Sequence, residues 1–412
     1  MSPSCQAKFT PDPETLKENS LKTETDRLFM KLMKTGMLED ARTRLGKELD
    51  GTLRETPSQM KVSIWSFLEK WLRNTTIKTI MGRKIKSDFV ERLGDFENGM
   101  EKLMLPFSSI FARHELNLRE GLLADIREYI QKEHFTEGSE FIREFVGMSR
   151  SQNLELEDTS RLFLLVMIAF VGNLSNVGSW TACWASLCPS RLSLIREEID
   201  ADDPHLDSSG TGNKCALLES TLMESLRRTQ GSFTFRMVME ELELATAKGH
   251  RYLLPKGSLI VMAPRESMTS KKIWDQPCDF SPGRFENHKL LAVQHRHSDK
   301  AAASQDGFHE KYKQDRTHPK ELTEDQKLSF QPFGAGKDKC KGRFFAQNTI
   351  VPFVKWFVMN FDIILGSEEN YSTLVPTTRC LKFRNPPIDD TKAILRRREG
   401  TVIATRREKA EG

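Results

Sequence analysis

The chain of 412 residues is 38% hydrophobic and 29% charged, the balance of an ordinary globular protein with a sizeable core. Its net charge is only +4 and both signs are mixed throughout, with no aromatic and basic stripe, which excludes nucleic acid as the expected partner. Seven cysteines, an odd number without a Cys-x-x-Cys pair, exclude a zinc ribbon or a disulfide framework and fit a reducing compartment.

The N-terminus, from Met1 to Ser20, is polar and has no apolar core of a signal peptide or anchor. The first two hundred residues predict helix after helix. Ser63 to Lys78 carries Ile64, Phe67, Leu68, Trp71 and Leu72 at helical spacing. Leu116 to Phe135 and Ser139 to Met148 repeat the pattern. Leu154 to Cys188 holds the longest apolar run, closed by Pro189. Its most apolar part, Leu162 to Val171, is half the length of the roughly 20 residues that span a bilayer. As written, the chain therefore reads as soluble and cytoplasmic.

Leu192 to Ile199 predicts another helix, Pro204 to Asn213 a loop, and Ala216 to Thr229 a helix. Short strands are expected near Ser232–Met239, Glu243, Tyr252 and Ser258–Met262, with turns at Gly249 and at Pro255-Lys256-Gly257. Residues 288–327 are strongly polar and predict a long surface loop. His295, His297 and His309 within it read as solvated histidines rather than a metal site. A helix from Phe344 to Asn360 and a strand-rich tail from Phe361 to Thr405 close the chain. The arginines of that tail, Arg396 to Arg398 and Arg406 to Arg407, read as a solvated charged strand, with an anionic membrane surface as the alternative.

The chemistry concentrates in Phe330 to Phe345 (FQPFGAGKDKCKGRFF). A lone cysteine, Cys340, sits in a Gly-rich loop just before a helix. Gly334, Gly336 and Gly342 let backbone approach a flat ligand. The N-terminus of the following helix favours negative charge on sulfur. Phe333 can pack on the sulfur or on a macrocycle. A buried structural cysteine in a tight turn is the alternative.

The pattern Phe333-x-x-Gly336-x-x-x-Cys340-x-Gly342 resembles the haem-binding signature of the cytochrome P450 family, whose cysteine is the axial iron ligand. Glu224-Ser-Leu-Arg227 resembles that family's E-x-x-R element, and Phe280-Ser-Pro-Gly-Arg284-Phe285 its following P-x-R-F element. In the family Glu224, Arg227 and Arg284 would form a buried network supporting the haem loop. Glu224 and Arg227, three apart, share one helix face. Arg236 falls where members often place an arginine on a haem propionate; a surface arginine on a strand edge is the alternative.

Two departures stand out. Asp338 occupies the position, two before the cysteine, where most members carry arginine; Lys337 and Lys339 flank it. In the long helix, Ser175 and Asn176 stand where members usually carry an acid and a threonine. Asn173 to Trp180 resembles a stretch of the branch containing prostacyclin synthase and the bile-acid sterol hydroxylases, with Ser179 in place of its phenylalanine. There an asparagine at the position of Asn173 faces substrate. Plain packing is the alternative for these small polar residues. The loop also resembles fungal members.

The resemblance covers Leu53 onward and implies a cytochrome P450 fold: mainly α with small β-sheets, one domain over residues 1–412, without the family's usual N-terminal anchor and early elements. It implies haem b on Cys340 and a monooxygenase acting on an apolar small molecule of sterol, terpenoid or secondary-metabolite type. Catalytic roles would fall to Asn173, Ser175 and Asn176. Electrons would come from an NADPH-cytochrome P450 reductase or similar flavoprotein, docked on Lys337, Lys339, Lys341 and Arg343. A monomer is expected, at the endoplasmic-reticulum surface if a longer form carries an anchor. An isomerase or dehydratase of oxygenated lipids, and a haem-binding relic without turnover, remain alternatives.

Overall fold

Apolar residues at helical spacing become helices in the expected order. The computed structural model describes residues 27–30, 35–103, 107–200, 215–229, 231, 234–246, 249–286, 322–335, 339–365 and 386–398. Its main elements run α1 (Thr35–Glu55), β1 (Gln59–Ser63), α2 (Ile64–Met81), α3 (Phe89–Leu103), α4 (Arg113–Gln131), α5 (Glu140–Ser151), α6 (Leu156–Leu187), α7 (Pro189–Asp200) and α8 (Ala216–Thr229). Four short strands follow: β2 (Thr234–Met237), β3 (Leu242–Ala245), β4 (Arg251–Leu254) and β5 (Leu259–Met262). The last elements are α9 (Arg343–Asn360), β6 (Phe361–Leu365) and β7 (Lys392–Arg397). The class is mainly α with small sheets, as the sequence predicts.

The 32-residue α6 is the axis of the molecule. It packs against α2, α4, α8 and α9. Among the described residues it alone is long and apolar enough to cross a membrane, yet 72% of its apolar window is buried inside the protein. That is the composition of a central core helix, hydrophobic on nearly all sides because other helices surround it. Aromatic contacts tie it to its neighbours. Trp65 lies 6.1 Å from Trp180, Trp180 lies 4.7 Å from Trp184, and Trp184 stacks on Phe280 at 4.2 Å. Pro189 does not merely close α6; it opens α7, where a missing N–H costs nothing.

The three-stranded antiparallel sheet β1-β7-β6 joins the segment after α1 to the last described strand. Gln59 faces Arg396, and Phe361 faces Arg397. Beside it Asp390 accepts hydrogen bonds from the N–H groups of Trp65 and Ser66, both at 2.9 Å. A carboxylate there meets otherwise unpaired donors and the positive end of α2. The strands β2/β5 and β3/β4 form two separate antiparallel pairs. Gly249 and Gly257, at the expected turns, take φ of 81° and 85°.

Most of the polar segment 288–327 lies outside the described residues, as do His295, His297, His309, Gly336, Lys337 and Asp338. Its end is not loop but a short helix, Glu324–Ser329. Thr323 and Gln326 form a reciprocal capping box there, which a search for apolar periodicity does not reveal.

Candidate functional site

Cys340 lies three residues before the first residue of α9, in the turn that leads into it. Its N–H donates to the Phe333 carbonyl at 2.8 Å, closing the loop on itself. Gly334 has φ of 73°, a left-handed conformation that only glycine adopts without strain. The N–H groups of Gly342 and Arg343 point at the Cys340 sulfur, and the Arg343 guanidinium adds positive charge. Loop atoms crowd the sulfur although the residue is exposed on one side. This desolvation pushes the thiol up, and the two N–H groups and Arg343 pull it back down. Phe333 is half-buried against the core. Arg343 also donates to the Cys340 carbonyl at 2.9 Å.

Behind the loop stands a buried charge network. Arg227 clamps Glu224 in a bidentate pair, both bonds at 2.8 Å and both side chains at 0% exposure. Arg227 also donates to the carbonyls of Met268 at 2.7 Å and Pro277 at 3.0 Å. The Ser281 N–H donates to Glu224 at 3.0 Å, and Arg284 approaches the same oxygen at 3.5 Å. The three predicted residues thus meet at one point. The link to the cysteine loop is aromatic. Arg227 lies over the Trp274 ring at 5.2 Å, and Trp274 and Phe285 pack on Phe330, three residues before Phe333. Trp274 also donates to Ser329 at 3.1 Å. Sequence reading passes over Trp274, because nothing in its neighbourhood marks it.

The third part is the surface of α6. Phe170 meets Phe345 of α9 edge-on at 4.9 Å, so α6 runs beside the cysteine loop. Within an otherwise buried helix, Leu165, Ala169 and Asn173 are exposed and Val177 half-buried. At about 100° per residue these four positions form one stripe. Asn173 lies in the middle of that open stripe. Asn176 is buried at its edge. Ser175 points elsewhere, toward α2, and donates to Glu69 and to the Gly172 carbonyl, both at 3.2 Å. Glu69, Arg73 and Glu97, all buried, with Glu69 at Ser175 and Glu97 at Gly172, were not legible as site residues.

Arg236, on β2, is exposed and donates to its neighbour's carbonyl, Phe235, at 2.9 Å. It is not gathered into the Glu224 network. Among the described residues no cluster of His, Cys, Asp or Glu has the makings of another metal centre. A haem held through Cys340 fits what is present. One sulfur faces two backbone donors at a helix N-terminus, with an apolar open stripe on the adjoining helix.

A family profile described as Cytochrome P450 matches residues 15–387. Prostacyclin synthase of Rattus norvegicus is 26% identical over 239 residues, which are 56% of this chain and 42% of that protein. Steroid 17-alpha-hydroxylase/17,20 lyase of Gallus gallus is 25% identical over 284 residues, 63% of this chain and 49% of that one. A cytochrome P450 monooxygenase of Gibberella zeae is 23% identical over 318 residues, 71% of this chain and 54% of its own. The chain thus spans about half the length of the curated relatives it matches. Retinoic-acid-bound cyanobacterial CYP120A1 has the same fold, with a TM-score of 0.70 at 17% identity, covering 96% of this chain and 83% of that one.

Proposed function

Because the chain belongs to the cytochrome P450 family, whose members hold haem iron through a cysteine, we propose that it is a haem-thiolate monooxygenase acting on an apolar small molecule. The observation that carries this reading is the Cys340 loop: a sulfur facing the N–H groups of Gly342 and Arg343, beside the open stripe of α6. Haem bound there supplies reductive activation of dioxygen, with thiolate donation favouring O–O cleavage.

The chain's own residues have three tasks. Gly342, Arg343 and the start of α9 hold negative charge on the sulfur. Glu224, Arg227 and Arg284, with Trp274 and Phe330, keep the loop rigid enough to hold a flat ligand. Asn173 orients the substrate from the middle of an apolar stripe, and Asn176 holds a water at its edge, where an amide both donates and accepts. Ser175 supports that segment from behind. The substrate is of sterol, terpenoid or other secondary-metabolite class. The support is the steroid hydroxylase and the fungal monooxygenase among the relatives, and the apolar lining. Electrons arrive from NADPH through a flavoprotein reductase that docks on the basic rim of Lys339, Lys341 and Arg343. Such a partner would place the reaction at the endoplasmic-reticulum surface.

One observation favours a second reading. The middle of α6 carries no acid of its own, and prostacyclin synthase, an enzyme of different name from the hydroxylases, is among the relatives. An isomerase of oxygenated lipids needs no dioxygen and no reductase. The haem-loaded protein should be given reductase, NADPH and labelled dioxygen, and separately lipid hydroperoxides and endoperoxides. Label in a product supports the monooxygenase. Conversion of peroxides without reductant, and no label in any product, would establish the isomerase instead. A chain that holds haem but converts neither kind of substrate would leave the haem-binding relic.

A further inference from the structure

From Leu162 to Ala182, α6 has no ionisable side chain. Among the described residues, Glu69 of α2 meets its middle at Ser175 and Glu97 of α3 meets it at Gly172. Arg73 binds Glu69 on its own helix at 2.6 Å and Glu97 of α3 at 2.7 Å. One guanidinium is shared between two carboxylates. The side chains are 3%, 5% and 0% exposed for Arg73, Glu69 and Glu97. Glu69 accepts from Ser175. Glu97 lies against Gly172 so closely that a Cβ there would come within 2.9 Å of its carboxylate. Seen down α6 at about 100° per residue, Gly172 lies beside Asn176 and next to the open stripe of Leu165, Ala169 and Asn173.

We propose that Glu97 is the proton reservoir of the site: it reaches the open face of α6 over the gap left by Gly172, held there by Arg73. The proposal rests on the monooxygenase reading. Each proton passes from the Glu97 carboxyl to a water held by Asn176 and on to the open face. Glu97 is left as a carboxylate beside Arg73 and regains a proton from bulk water. Two buried carboxylates, Glu69 and Glu97, share the single guanidinium of Arg73, so the cluster carries one negative charge in excess, and that excess rather than Arg73 favours the proton. Glu69 positions the gap through Ser175. Along α3 the neighbouring charged residues are Asp95 and Glu101; one residue further on, Lys102 pairs with Glu115 of α4 at 2.6 Å.

Two variants test this. Glu97→Gln removes the acid and keeps its shape. Gly172→Ala keeps every charge and pushes Glu97 aside. Infrared difference spectra of the resting haem-loaded protein across pH should show a carboxyl band that Glu97→Gln abolishes and Gly172→Ala shifts. In turnover, both variants should lose at least about tenfold of the NADPH-to-product coupling, a part of the roughly hundredfold or more that a positioned acid supplies. Hydrogen peroxide, which brings its own protons, should drive both near the wild-type rate. Superimposable infrared titrations of wild type and Glu97→Gln, or full coupling in both variants, overturn the proposal. If the wild type oxygenates nothing, the monooxygenase reading fails, and the infrared titration alone decides whether Glu97 carries a proton.

Discussion

Replacing Arg227 with alanine tests whether the network behind the loop is a structural keystone. The side chain is fully buried and makes two bonds to Glu224 at 2.8 Å and two more to the Met268 and Pro277 carbonyls. Without it, Glu224 keeps only the Ser281 N–H at 3.0 Å and the more distant Arg284 among these partners. Breaking one side of a buried ion pair costs about 3–5 kcal/mol. Each carbonyl that loses its donor adds roughly 1 kcal/mol or more. Against a total stability of about 5–15 kcal/mol, that sum removes most of the margin. Arg227→Lys should do little better, because a lysine cannot make the bidentate bond. Urea unfolding followed by tryptophan fluorescence reads the stability directly, and Trp274 under Arg227 makes it sensitive to this place. Haem content after gel filtration reads the loop. We expect a large fall in the unfolding midpoint and no retained haem. An Arg227→Ala protein within about 0.5 kcal/mol of wild type and fully haem-loaded would show that the pair is not structural.

Gly178→Ala should destabilise the α2–α6 crossing by about 1–3 kcal/mol, since the new methyl would fall 2.2 Å from Leu72, and thermal unfolding will show it. Asn173→Leu, at an exposed position, should leave stability within about 0.5 kcal/mol but change the affinity for apolar ligands in spectral titrations; unchanged affinities would remove Asn173 from the pocket. The Cys340 thiol of the haem-free chain is held above the ordinary range, so its alkylation should lag behind a model thiol near pH 8.5 and catch up only at higher pH. The sign for stability follows: a proton bound more tightly in the folded state contributes below the ordinary thiol range, and that contribution is lost as pH rises through the raised value. Mass-spectrometric labelling across pH will reveal either behaviour.

The parts legible in the sequence were those with a local signature. The helix Ala216–Thr229 matches its predicted bounds because its apolar and charged faces alternate at helical spacing. The hairpin turn at Gly249 and the turn between β4 and β5 at Gly257 were marked by the glycines their backbone needs. Cys340, Glu224, Arg227 and Arg284 could be named because their spacing is a family pattern, and the structure brings the last three together. What was hidden depends on contacts between distant segments. The strand Gln59–Ser63 pairs with β7 more than three hundred residues later, and its alternation of Met60 and Val62 with polar neighbours is too short to stand out beside the helix that follows. Glu69, Arg73 and Glu97 look like the solvated charges of ordinary helices, and only packing against α6 buries them. Ser175 shows the same limit. Its position in the chain suggested a place facing the cofactor, but the turn of the helix directs it toward α2.

The most direct test is the carbon monoxide difference spectrum of the reduced, haem-loaded chain, in wild type and in Cys340→Ala. The account predicts the band of thiolate-ligated haem in the wild type and its complete loss in the variant, because among the described cysteines only Cys340 sits in such a loop. A thiolate-type band that survives in Cys340→Ala would contradict it.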